Sequence, residues 1–313
     1  MTSTLSDLLA TKTDLLWVTL VSAVVSAGVS YLFKRSETRH TADVSYEYEQ
    51  RKELRKLIGR YHGRLLNAAN SMNYRLWNFY ANQEQGWLYV GGKYGNPDNY
   101  YFRSFVYRFL NIFALIRQLE TEAVLLDARI AEKKDFVFLN YAAALHWVMT
   151  DVALTKGMPY DDFHQTDHFF SDHFRQYCDC CLQKGSFIGI DEFSELLRNN
   201  CTAIEPVLEY FDGLSRKEAR LRWDRLVAFH LLIMAFINSF GYKRQYSPQR
   251  LFIDAAKQMK DLRVLKNLVI WLPKHDLGQD REAKRIVGAL ENLLGRSTAY
   301  YIKAMFGRAT TVD

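Results

Sequence analysis

Two groups of residues in this chain have the types and spacing that chemistry requires. In "DRLVAFHLLIMAFINSF", residues 224–240, Arg225 and His230 stand with four residues between them. An imidazole can move a hydroxyl proton near neutral pH and a guanidinium fork can hold a phosphate, so the pair suits cleavage of a phosphodiester. In "DDFHQTDHFFSDHFRQYCDCC", residues 161–181, three histidines and three cysteines crowd into one stretch. His164 and His168 are four residues apart, which puts them on one helical face, and the Cys178 thiolate would add a third ligand to a zinc site. The other ligand types, however, fall on different faces of a helix. Asp161, Asp162, Asp167 and Asp172 equally describe a solvated face with a few paired imidazoles. Zinc apart, no cofactor is expected: G-x-G-x-x-G, G-K-[ST], G-x-S-x-G and H-E-x-x-H are all missing.

The Arg225/His230 spacing resembles the R-x4-H motif of HEPN-type ribonucleases, in which an arginine and a histidine from each of two subunits meet at a dimer cleft. That resemblance implies RNA as the partner and these two residues as catalytic. Composition weighs on the other side. With 24 arginines and eight histidines in 313 residues, about two arginine–histidine pairs with four to six intervening residues arise by chance, and three occur, the others being Arg35/His40 and Arg55/His62. The fifteen residues from Leu226 to Phe240 are mostly apolar but contain His230 and Asn238, too short and too polar a run for a membrane span. They predict the buried central helix of a bundle, with His230 a core histidine satisfied at one ring nitrogen and Arg225, near the helix start, solvated.

A longer apolar run lies near the N-terminus. After the short segment 1–14, residues 15–33, "LLWVTLVSAVVSAGVSYLF", pass nineteen positions without a charge, enough to cover a hydrocarbon core of about 30 Å. Trp17 and Tyr31 fit the two aromatic belts. The joint 34–42 supplies Lys34, Arg35 and Arg39, which the positive-inside rule keeps in the cytoplasm. These features predict an uncleaved single-pass anchor in the inner (plasma) membrane, N-terminus outward and body in the cytoplasm. The acidic Asp7 and Asp14 and the length of the run argue against a cleaved signal peptide. Within the run Ser22, Ser26 and Ser30 recur every four residues beside Ala23 and Ala27. Such a stripe of small side chains lets membrane helices approach closely, and it predicts a homo-oligomer.

The remainder predicts an all-α fold, a single transmembrane helix followed by a multi-helix cytoplasmic bundle. Its two helical parts span 43–183 and 191–313. Leu54, Ile58, Tyr61, Leu65, Ala68 and Met72 alternate four and three apart, a pattern that suits a short stalk between chains or a helix packed on its own body. Further helices are expected at 101–131, 135–156, 160–183, 191–212, 215–241, 248–272 and 280–306, with a loop at 86–99 and a hinge at 184–191. Forty-five aromatic residues favour thick helix–helix layers. The net charge of +6 is spread along the chain and names no partner. Four cysteines, three of them adjacent or nearly so, make a poor disulfide framework and fit a reducing compartment. The layout looks like that of accessory and effector proteins in bacterial stress and phage-defence systems. A membrane-anchored subunit that binds as a sensor, scaffold or effector is the leading expectation; a membrane-tethered ribonuclease and an oligomeric pore are the alternatives.

Overall fold

The structure, a computed structural model, describes residues 3–123, 131–160, 167–183, 185–199 and 201–294, and along the first helix it describes side chains at Ser22 and from Ser26 onward. The chain divides into two units, residues 1–53 and 54–313. Helix α1 runs without a break from Ser3 to Ala81. Residues 15–33 are therefore helical throughout. The side chains of 15–21 and 23–25, which make up the first part of the expected anchor, lie outside the described residues.

Within the second unit, Leu54, Ile58, Tyr61, Leu65, Ala68 and Met72 are all buried, and so are Leu57, Leu66 and Leu76 beside them. A stripe this wide faces its own bundle, so the alternative of a stalk between chains has no apolar seam left to use. Arg75 interrupts the apolar pattern and lies with its guanidinium 4.4 Å from the centre of the Tyr101 ring. The glycine-rich loop that follows is held from a distance. Asp212 accepts hydrogen bonds from the N–H groups of Val90 (2.9 Å), Gly91 (3.2 Å) and Gly92 (2.8 Å). Gly91 and Gly92 adopt φ of 57° and 77°, the left-handed backbone that lets consecutive N–H groups converge on one carboxylate.

Helices α2 (Tyr100–Ala123) and α3 (Lys133–Thr150) follow, the latter opened by a capping box between Glu132 and Asp135. Of the stretch 160–183 expected to be helical, residues 161–166 lie outside the described residues, and the helix among the described ones is α4, Ser171–Asp179. In place of a plain hinge, Leu182–Gln183 (β1) and Ser186–Phe187 (β2) form a two-residue antiparallel pair around Gly185 at φ 73°. Helix α5 (Ile190–Asn199) ends before Pro206, which sits in the first turn of α6, Glu205–Phe211, where its missing N–H has no partner to lose.

Helix α7, Arg222–Phe240, is the centre of the bundle. Every side chain from Arg222 to Ile237 is buried, as a helix that is apolar on all faces requires. It packs against α3, α8 (Gln249–Ala256), α9 (Leu262–Trp271) and α10 (Lys284–Leu294). Aromatic rings fill the layers around it: Phe229 lies 5.5 Å from Phe109 and 5.4 Å from Phe113, and Trp223 5.4 Å from Phe79. Among the described residues α7 alone has the length and apolar content of a span, yet 83% of that stretch is covered by protein. The apolar run around His230 is core. The helix expected at 248–272 is broken between α8 and α9, where Asp224 accepts the Lys260 N–H at 2.6 Å and Asp261 caps α9 through the Arg263 N–H at 2.8 Å.

Candidate functional site

Arg225 and His230 both project from α7 into the interior, on different sides. Five residues along a regular helix turn the side chain direction by about 140°. Arg225 is 1% exposed, and its Nη1 donates to the carbonyl oxygens of Val148 (2.8 Å) and Asp151 (2.9 Å). Those carbonyls end α3, so the guanidinium caps the negative pole of that helix. Its Nε and Nη2 have no hydrogen-bond partner, and burial pushes the guanidinium pKa down. The expectation of a solvated arginine fails here because the start of α7 is itself covered by the end of α3.

His230 is fully buried. Its Nε2 lies 2.8 Å from Oδ1 of Asn73, which belongs to α1. The amide oxygen only accepts, so Nε2 carries the proton and Nδ1 is left bare and without a partner. Trp77 and Tyr80 close over the ring at 5.1 and 5.4 Å between centroids. Burial lowers the imidazole pKa to about 3, which keeps it neutral. The Tyr80 hydroxyl is likewise buried without a partner. Arg225 thus ties α7 to α3 and His230 ties it to α1; in this arrangement the two share no partner and neither reaches solvent.

Two of the three residues of the zinc expectation, His168 and Cys178, are described. His164 lies outside the described residues. His168 is 1% exposed, with Nδ1 2.5 Å from the Tyr160 hydroxyl and its ring edge-on to Phe170 at 5.4 Å. Cys178 is buried, and that burial raises its thiol pKa. Among the described residues no group of three or more histidine, cysteine, aspartate or glutamate side chains is placed to hold a metal. All four cysteines are free thiols.

On α1 the three serines 22, 26 and 30 are exposed, so the stripe is uncovered. The apolar Val29, Tyr31, Leu32 and Phe33 beside them are exposed by 47, 66, 64 and 72%.

Sequence reasoning missed a cleft of about 850 Å³ whose wall includes His62, Lys133, Lys134, Phe138 and Phe240. These residues come from three helices, and only the Arg55/His62 spacing drew attention to any of them. Comparison of the chain with protein-family models, curated proteins and solved structures finds no match.

Proposed function

We propose that this chain is a single-pass membrane protein whose helical body works by binding, with its N-terminal helix as anchor and oligomer contact. The observation that carries the reading is the run of uncovered apolar side chains at the described end of the charge-free stretch, Val29, Tyr31, Leu32 and Phe33 on an unbroken helix. In water, apolar side chains of this size gain about 1.5–3 kcal/mol each from burial, and lipid can supply what the chain does not. Lys34, Arg35 and Arg39 follow directly and favour the cytoplasmic face of the inner membrane, leaving the N-terminus outside. The uncovered serine stripe supports association of anchors.

Binding is preferred to catalysis because Arg225 and His230 are spent on the interior. A ribonuclease needs its base near the 2′-hydroxyl and within hydrogen-bond reach of it. His230 instead sits under Trp77 and Tyr80 with a pKa near 3, too weak a base for work at neutral pH. Alkaline extraction of membranes tests the anchor. The chain should stay in the pellet after carbonate washing; its release would remove the anchor from the account.

A further inference from the structure

We propose that the cleft between α1, α3 and the C-terminal end of α7 binds a phosphorylated aromatic molecule of the mononucleotide class. The cleft measures about 850 Å³, inside the usual range for small-molecule sites of about 300–1,000 Å³. Ile58 and His62 of α1, Lys133, Lys134 and Phe138 of α3, and Ser239 and Phe240 of α7 form three sides, and the loop residues Asp280, Arg281 and Glu282 the fourth.

Most polar groups in this wall are already committed. Asp280 accepts from the Tyr141 hydroxyl and from the N–H groups of Glu282 and Ala283. Glu282 accepts from Asn238 and pairs with Arg285 and Arg281. Asp135 accepts from the Glu132 N–H and faces Arg55. Every carboxylate in the wall therefore has a partner within the chain, and Arg281 is paired with one of them. Lys133 and Lys134 make no hydrogen bond or ion pair among the described residues, which leaves the cleft with two uncommitted donor groups and no uncommitted carboxylate. A ligand that uses what is free is an anion. Both lysines stand in the first turn of α3, where the helix dipole adds to their field. A phosphate group takes that position best, since it can accept from two ammonium groups at once.

The other half of the wall is aromatic. Phe138 is covered, and His62 stacks on it at 5.8 Å with the ring planes 28° apart, so the imidazole presents the second face. Phe240 stands edge-on to His62 at 6.0 Å. A flat face backed by a buried ring accepts a nucleobase by stacking, whatever the base. Phosphate beside the lysines and base against His62 and Phe240 uses both halves of the cleft.

This inference rests on the reading of the body as a binding module, and the anchor is tested separately by membrane extraction, so the two fail independently. The experiment is calorimetric titration of the detergent-solubilised full chain with the four ribonucleoside 5′-monophosphates, inorganic phosphate and adenosine. At least one nucleotide should bind with saturation, and phosphate alone and adenosine alone should each bind about tenfold more weakly or worse, because each lacks half of the contacts. The double variant Lys133→Glu, Lys134→Glu should lose at least about tenfold in nucleotide affinity. Both side chains are exposed, so the melting temperature should be unchanged. His62→Ala should weaken the nucleotide and leave phosphate binding as it was. Absence of saturable binding for all four nucleotides overturns the proposal, and so does nucleotide affinity unchanged in the lysine variant. Inorganic phosphate binding as tightly as the nucleotides would overturn the aromatic half.

Discussion

Arg225 and His230 differ from surface residues in what their removal leaves behind. Arg225→Ala strands two carbonyls at the end of α3 and opens a cavity where a large side chain was fully buried. The expected cost is about 3 kcal/mol, read as a fall in the urea midpoint at unchanged slope. A variant as stable as the parent would contradict the capping role. His230 makes a prediction about pH. Its folded pKa of about 3 lies below the ordinary 6.5, so the stability contributed by the neutral ring is fully present above about pH 6.5 and is lost as pH falls toward 3. His146, also lowered to about 3 by burial and by the nearby Arg175 and Arg117, acts in the same direction. Asp224 opposes them: burial raises it to about 6, so the stability of its protonated form is present below its ordinary 3.8 and lost as pH rises through 6. His230→Gln removes one proton uptake and should flatten the fall in stability below pH 6.5, by up to about 1.4 kcal/mol per pH unit. Parallel pH profiles for the variant and the parent would show that His230 is not buried neutral. Neither role was fully legible in the sequence. That His230 belongs to the core followed from its apolar neighbours, but Asn73, its partner, is 157 residues away along the chain.

At the scale of elements, periodicity fixed the helices that pack on one broad stripe and failed where a distant side chain sets a boundary. The Leu54–Met72 pattern and the apolar run of α7 were readable because burial of a face demands that spacing. The break between α8 and α9 was not, because it depends on the carboxylate of Asp224 holding the Lys260 N–H from another helix. The loop at 86–99 was read from its glycines, whereas the carboxylate that organises it, Asp212, lies past α6. The cleft wall was illegible for the same reason: Phe138, Phe240 and His62 meet only in three dimensions. The serine stripe, by contrast, is local, and its prediction belongs to α1 alone. Replacing Ser22, Ser26 and Ser30 together by Leu should preserve insertion, since leucine is favoured at the bilayer centre, and should weaken self-association. Crosslinking in native membranes checks it. An oligomer ladder unchanged by the substitution would show that the stripe is ordinary span composition, and a parent chain that stays monomeric would remove the oligomer.

For the whole molecule, the proposed function makes residues 15–33 an anchor and the remainder a separate body. Every core side chain among the described residues lies at Leu54 or later, in the unit that carries the aromatic layers and the buried α7. A core of that extent is expected to fold without the N-terminal segment. The direct test is to express the full chain and a form lacking residues 1–34 side by side, to follow which fraction each enters, and to record the melting transition of the shortened form. The account predicts the full chain in the membrane fraction and the shortened chain in the soluble fraction with one cooperative transition. A full-length chain recovered in the soluble fraction, or a shortened chain that still pellets with membranes, would contradict it.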